Sequence, residues 1–367
     1  MTPPSAPATV APHRLWLPRH VQVTAAAAEQ PHTAEILRRL EAAGVDDVQV
    51  LTSNRLTGLS SGSEREVYAR AKATMAVVVA PPSAIKPQPI PPSADWRINL
   101  AKGCPAHCQY CYLAGSLSGP PVTRVYANLD DVLAGIGTHS GRGSVTSGTE
   151  ARGHEGTTFE LSCYTDPLAL EHLTGSLATA IERVGTGRYG DDASLRFTTK
   201  FDAVDDLLAL PHGRRTRMRV SINADEVAGR FEGGTAPVPA RLAALRRVAE
   251  AGYRVGLTIA PIMPVDDWRT SYGRLLDDVA VALDGVPDVD LTVEAITHRF
   301  TPGSKEVLLG WYPRTKLEMD EEQRTAKRNK FGGVKHVYPK DVMGEMRSWF
   351  SDAIAERLPG APLLYWT

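Results

Sequence analysis

Gly103-Cys104-Pro105-Ala106-His107-Cys108-Gln109-Tyr110-Cys111-Tyr112-Leu113 carries three of the chain's four cysteines, spaced C-x3-C-x2-C. Thiolates this close together read as a metal site. Two metals compete for it. Zinc sites usually join one C-x2-4-C pair to a second, distant pair, and here only Cys163 is left. His107 as a fourth ligand would strain a loop in which it lies between two of the cysteines. Iron–sulfur clusters are held by cysteine thiolates, normally four. With three, one iron of a 4Fe-4S cluster keeps an open position, where a reactive ligand can bind. The spacing and the aromatic flanks Tyr110 and Tyr112 favour the cluster over a structural zinc knuckle.

Working outward, the loop follows a candidate strand, Arg97–Leu100. Further strands are expected at Thr158–Cys163, Ser194–Thr199, Met218–Ile222, Arg254–Ala260 and Asp290–Ala295, with helical patterns near 128–135, 169–185, 202–210, 238–252 and 267–284. Strands alternating with helices predict a parallel sheet with crossover helices. Six such units predict an α/β fold, a partial (β/α)6 TIM-type barrel. Catalytic groups in such barrels gather at the C-terminal ends of strands. The cysteine loop, Cys163, Lys200, Ser221 and Asn223 all fall at or just past predicted strand ends.

Residues 14–92 read as a small N-terminal α/β domain. A helix is expected from His32, with Ile36, Leu37, Leu40 and Ala43 on one side and Gly44 ending it, then strands at Val48–Leu51 and Met75–Ala80. Pro81–Pro92 reads as a proline-rich connector. Residues 93–300 form the expected barrel, and 301–367 an extension with a hairpin and a helix. Residues 1–13, rich in Pro, Ala, Ser and Thr, read as a disordered tail. The Gly/Ser/Thr-rich stretch 139–157 reads as a long surface loop.

The 367 residues suffice for a large core, and 43% hydrophobic with 23% charged residues describes an ordinary globular protein. No apolar run is long enough for a membrane span. Four cysteines, three of them clustered, exclude a disulfide framework, and thiolate ligands imply a reducing compartment, the cytoplasm. A net charge of −1 means that any nucleic-acid surface must be local. The one dense basic stretch holds Arg324, Lys327, Arg328, Lys330, Lys335 and Lys340, with Gly332-Gly333 at a hairpin tip beside Phe331. It reads as a phosphate-contacting element or as a solvated charged face.

Cys163 is either a small core residue or a hydrogen-atom donor to a carbon radical, since its S–H bond is weak and burial keeps the thiol protonated. Lys200 is a surface lysine or a partner for a cofactor carboxylate. Ser221 and Asn223 share one strand face, and are turn formers or ribose ligands. Glu294, His298 and Arg299 line a pocket or form an ion-pair network.

The chain resembles the spore photoproduct lyase family of radical S-adenosylmethionine (SAM) enzymes, from about residue 14 to the end. The resemblance is carried by Pro92-Ser93-Ala94-Asp95, the cysteine loop, Arg124-Val125-Tyr126-Ala127-Asn128-Leu129-Asp130 and Ser162-Cys163-Tyr164-Thr165-Asp166. It continues in Leu195-Arg196-Phe197-Thr198-Thr199-Lys200, Ser221-Ile222-Asn223, Gly252-Tyr253-Arg254-Val255-Gly256, His298-Arg299-Phe300-Thr301 and Tyr312-Pro313-Arg314-Thr315-Lys316. It implies a 4Fe-4S cluster on Cys104, Cys108 and Cys111, and SAM held by Thr165, Lys200, Ser221 and Asn223. Cys163 becomes the hydrogen donor, with Tyr112 and Tyr110 as radical relay. The implied substrate is UV-damaged DNA carrying a thymine–thymine adduct, contacted by Lys327, Arg328, Lys330, Phe331 and Lys335. A reducing protein such as a flavodoxin or ferredoxin is the implied partner, and a monomer is expected. The family pattern has arginine then tyrosine at the hairpin tip. Lys330 and Phe331 keep the charge and the wedge but lose the guanidinium fork and the hydroxyl. Tyr164 and the loop 139–157 also depart from the pattern. Another nucleic-acid lesion or a nucleoside is the alternative substrate. A DNA-binding protein with a structural metal is the non-catalytic alternative.

Overall fold

In Thr216-Arg217-Met218-Arg219-Val220-Ser221-Ile222, apolar and polar side chains alternate, yet every residue is buried. Both faces of this strand are therefore covered, one by hydrocarbon and one by charge. The computed structural model, which describes residues 14–117, 119–146, 149–328 and 333–367, shows why. The strand lies in the middle of an eight-stranded sheet. Its order is Leu363–Trp366, Leu291–Thr297, Arg254–Ile262, Thr216–Ile222, Ala193–Thr199, Thr157–Leu161, Ala94–Ile98, Gln88–Ile90. All neighbours pair in parallel except Gln88–Ile90, which runs antiparallel at one edge. The six strands expected from the sequence stand side by side in chain order, and the sheet curls into a partial barrel.

The outer face packs against helices. Phe159, Phe197, Met218, Val220, Leu257 and Val293 meet Leu177, Ile181, Leu245, Val248 and Leu276, all of them buried in one core. Each such side chain contributes about 1.5–3 kcal/mol by leaving water. The expected helix at 169–185 is two helices, Leu168–Thr174 and Ser176–Gly185, broken at Gly175 with φ +63°. The expected helix at 202–210 is reduced to a 3-10 turn, Asp205–Leu207. Phe201, Val204 and Leu207 are the buried residues there, and a spacing of three is the 3-10 repeat, not the α repeat.

The inner face is a charge network. Arg196 and Arg219 both pair with Glu160 and Glu294. Arg217 pairs with Glu155 and Asp290, both at 2.7 Å, and Arg152 with Glu155 at 3.1 Å. Tyr365 Oη donates to Glu294 at 3.0 Å and Ser93 Oγ to Glu160 at 3.1 Å. Four guanidiniums thus face four carboxylates. Burial pushes the Glu294 carboxyl up, but Arg219 and Arg196 outweigh it and hold it below the usual range.

The stretch 139–157 does more than cross the surface. The Ser144 and Val145 amides donate to Asp95 Oδ1 at 2.8 and 2.6 Å, and Thr146, Arg152 and Glu155 are buried. Asp95 and Thr157 stand at the N-terminal ends of their strands. The loop is therefore folded under the N-terminal end of the barrel, where Asp95 satisfies its backbone amides.

The second sheet has the order Val48–Val50, His20–Val23, Thr74–Val78, Thr123–Tyr126, Ala101–Lys102. The last two strands flank the cysteine loop, so the two sheets interleave along the chain. The proline-rich connector holds a short helix, Pro82–Ile85, and the edge strand Gln88–Ile90, where Pro89 is tolerated because an edge position needs no N–H. The expected tail at residues 1–13 lies outside the described residues.

Removing one member of the inner network should strand a buried charge, at about 3–5 kcal/mol. Glu294→Leu, which leaves Arg196 and Arg219 short of a partner, is expected to lower the chemical denaturation midpoint accordingly. An unchanged midpoint would show that the network does not hold the barrel.

Candidate active site

The cysteine loop begins at Gly103, whose φ is +83° and where a Cβ would lie 2.3 Å from the Val122 carbonyl oxygen. Only glycine fits. Cys104, Cys108 and Cys111 are free, half-buried thiols. They line one cavity with Lys72, Leu113, Leu117, Trp311 and Tyr312. Burial pushes the Cys104 thiol up to about 11 and raises the other two. Lys72 Nζ donates to the Cys104 carbonyl at 2.6 Å and to that of Ala106, which sets a cation beside the thiols. His107 is held elsewhere, with Nδ1 2.9 Å from Tyr68 Oη. Among the described residues no three His, Cys, Asp or Glu side chains gather as they would on a single ion.

His107–Cys108 forms a two-residue antiparallel ladder with Glu232–Gly233, which brings in a residue that the sequence reading missed. Glu232 is fully buried and sits at a junction. It accepts from Tyr110 Oη and from Lys200 Nζ at 2.7 Å, and pairs with Arg241 at 2.6 Å. Burial pushes its carboxyl up, but Lys200 and Arg241 outweigh that and bring it down to about 2. Lys200 Nζ also donates to the Ala260 carbonyl at 3.3 Å and lies 5.6 Å from the Tyr110 ring centroid. Tyr110 and Lys200 are thus brought together. Tyr112, in the 3-10 turn Tyr112–Gly115, is 62% exposed.

Cys163 lies just past the strand Thr157–Leu161 in a turn tied on three sides. Ser162 is bonded to Ile98, the last residue of the neighbouring strand, and to Leu100 just past it. The Gly103 amide donates to the Tyr164 carbonyl at 2.8 Å. The Lys200 amide donates to Asp166 Oδ2 at 2.7 Å. The turn therefore joins the cysteine loop to the end of the Lys200 strand. The Tyr164 ring has Arg97 at 5.0 Å and Lys102 at 5.5 Å. Burial, then the Glu160 charge, push the Cys163 thiol up to about 12, so it stays protonated at neutral pH.

Other expected residues stand further back. Asn223 is fully buried, its Nδ2 donating to the Pro261 carbonyl at 2.8 Å and its Oδ1 accepting from Tyr272 Oη at 2.8 Å. Ser221 is buried beside Arg241, which donates to its carbonyl. Thr165 lines a separate small cavity with Leu100, Ala101 and Val125, and its hydroxyl has no partner there. Glu294 belongs to the ion network. His298 is buried against Arg324, its Nδ1 3.3 Å from the guanidinium. Burial first, then that cation, hold it down near 3.

The basic stretch is a hairpin, Thr325–Arg328 paired with Val334–Val337. Lys327 lies opposite Lys335, a like-charge pairing that destabilises a hairpin standing alone. Burial, then Arg299 and Lys327, lower the Lys335 pKa. Among the described residues none of Arg299, Lys327, Arg328 or Lys335 has a carboxylate partner. The predicted contacts Lys330 and Phe331 lie outside the described residues.

The spore photoproduct lyase family model matches residues 16–367. The chain is 37% identical to the spore photoproduct lyase of Geobacillus sp. (strain Y412MC61), over 96% of this chain and 99% of that one. It is 35% identical to that of Bacillus subtilis (strain 168), over the same shares. A solved spore photoproduct lyase variant with bound AdoMet and dinucleoside spore photoproduct superposes with a TM-score of 0.86 at 36% identity, over 96% of this chain and all of that one. With the cysteine loop, Lys200 and Cys163 assembled at one end of a partial barrel, the chain belongs to the spore photoproduct lyase family of radical SAM lyases.

Proposed function

We propose that this protein splits the UV-induced thymine–thymine spore photoproduct in DNA back to two thymines. The observation that carries the reading is the tie between three elements: the cysteine loop, the Lys200 strand end and the Cys163 turn, joined through Glu232, Gly103–Tyr164 and Asp166–Lys200. The relatives' chemistry on a nucleic-acid lesion supports it, as does the AdoMet and dinucleoside lesion bound in the solved relative.

The donor set suits a 4Fe-4S cluster on Cys104, Cys108 and Cys111. The thiols are soft ligands around one cavity, beside a cation and away from His107. Bound together, cluster and SAM supply a 5′-deoxyadenosyl radical, given an electron from a reducing protein. The rest falls to the chain. Lys200, whose third N–H is left over from Glu232 and Ala260, offers its charge to the SAM carboxylate. Thr165, Ser221 and Asn223 stand behind this site and support it. Cys163 Sγ gives a hydrogen atom to the thymine radical left when the methylene bridge breaks: an S–H bond breaks and a C–H bond forms. Tyr112 Oη restores that hydrogen to Sγ, Tyr110 Oη restores the hydrogen of Tyr112, and the hydrogen first taken from the lesion returns to Tyr110, so that no residue is left a radical. A lesion inside a stacked duplex cannot reach this end of the barrel, so it must be extruded. The hairpin cations Lys327, Arg328 and Lys335, with Lys330 and Phe331 at the tip, grip the strand while that happens.

Replacing any one of Cys104, Cys108 or Cys111 with Ala should abolish both iron retention and SAM cleavage in anaerobic preparations. Full iron content in a single variant would overturn the ligand assignment. Cys163→Ala should keep iron and SAM cleavage but divert the thymine radical into adducts with other donors. Clean thymine at the wild-type rate would make Cys163 structural. Removing Lys327 and Arg328 together should weaken binding to intact and damaged DNA alike. It should flatten the log–log salt dependence by roughly one to two units, at about 0.9 per phosphate contact. Titrations at several salt concentrations check this, and an unchanged slope would remove the hairpin from the DNA interface.

A further inference from the structure

Ser162 is a non-glycine residue with φ +62°. It is 3% exposed, ends the strand beside Leu161 and immediately precedes Cys163. A side chain in the left-handed region is disfavoured and persists only where surrounding bonds dictate it. Three bonds do so here. The Ser162 amide donates to the Ile98 carbonyl at 2.7 Å, the last regular rung of the parallel ladder. In a continuing ladder the next rung would run from the Leu100 amide to the Ser162 carbonyl. Instead the Leu100 amide donates to Ser162 Oγ at 3.0 Å. The hydroxyl has taken the place of the backbone acceptor. The carbonyl, released from the sheet, turns away and accepts from the Thr165 amide at 3.1 Å, closing the turn that carries Cys163.

We propose that Ser162 is the positioning residue of the hydrogen-atom donor. Its hydroxyl ends the sheet one rung early and so swings Cys163 out of the strand and toward the cysteine loop. The proposal rests on the reading of Cys163 as that donor. No side chain without an oxygen at this reach satisfies the Leu100 amide while leaving the carbonyl free. Alanine keeps the disfavoured backbone and orphans a buried N–H. Glycine relieves the backbone and orphans the same N–H. In either case the chain gains by sliding back into the ladder, which returns residue 163 to strand geometry.

The test is the fate of the thymine radical, which a merely structural role would not move. Ser162→Ala and Ser162→Gly are compared with wild type and Cys163→Ala, each reconstituted with cluster and SAM under anaerobic conditions on lesion-bearing DNA. The ratio of radical-derived adducts to thymine is read beside iron content, SAM affinity and thermal unfolding. Ser162→Ala is expected to keep iron and SAM affinity while the adduct-to-thymine ratio rises at least about fivefold, the scale of one lost buried hydrogen bond. Ser162→Gly is expected to raise the ratio as well, and carries the test where the alanine variant does not fold. A wild-type ratio in a folded Ser162 variant, with Cys163→Ala raising it, overturns the positioning role alone. A wild-type ratio in Cys163→Ala overturns the donor reading itself.

Discussion

Charge neutrality inside the barrel is the constraint on which the rest depends. A sheet that buries both faces usually fills both with hydrocarbon. Here the inner face holds Arg152, Arg196, Arg217 and Arg219 against Glu155, Glu160, Asp290 and Glu294. None of these can move away without stranding a partner. A one-residue slip would put Arg196, Arg217 and Arg219 among the helices, so the network fixes the register of their strands. It also makes a rigid polar floor beneath Cys163 and Lys200. Strand ends that stand on a fixed register hold their side chains in fixed places.

A second tie acts at the top. Glu232 holds a residue of the cysteine loop, Tyr110, and a residue of a barrel strand end, Lys200, by one carboxylate. The loop is anchored at both ends by strands of the other sheet, Ala101–Lys102 and Thr123–Tyr126. The cysteine loop is thus a seam between two sheets. Its geometry is set by both, which explains why Gly103 admits no side chain and why Lys72, from the N-terminal helix Glu64–Lys72, reaches the loop carbonyls.

Much of this was legible in the sequence. The cysteine spacing is local, so it survives without a structure. The strands alternate strongly, and their order in the sheet follows their order in the chain. What stayed hidden was non-local. Glu232 stands before a glycine pair with no pattern to mark it, and acquires meaning only when Tyr110, Lys200 and Arg241 converge on it. The stretch 139–157 has the composition of a surface loop, because it is Asp95, distant in sequence, that satisfies its amides. Residues 202–210 carry apolar residues at a spacing of three, close enough to the helical repeat to be misread. Asn223 shares a strand face with Ser221, and its amide is bonded to Pro261 and Tyr272, partners that no local pattern marks.

The loop folded under the barrel has a consequence for traffic. With Asp95, Arg152 and Glu155 packed across the far end, the barrel is open, among the described residues, at the strand ends that carry Cys163 and Lys200. Whatever occupies that doorway is also its stopper. A large polymer seated there would shut out water, dissolved thiols and oxygen for as long as it stays. Protection of a radical would then last as long as the substrate's residence. A ligand too small to fill the doorway would leave the same chemistry unguarded.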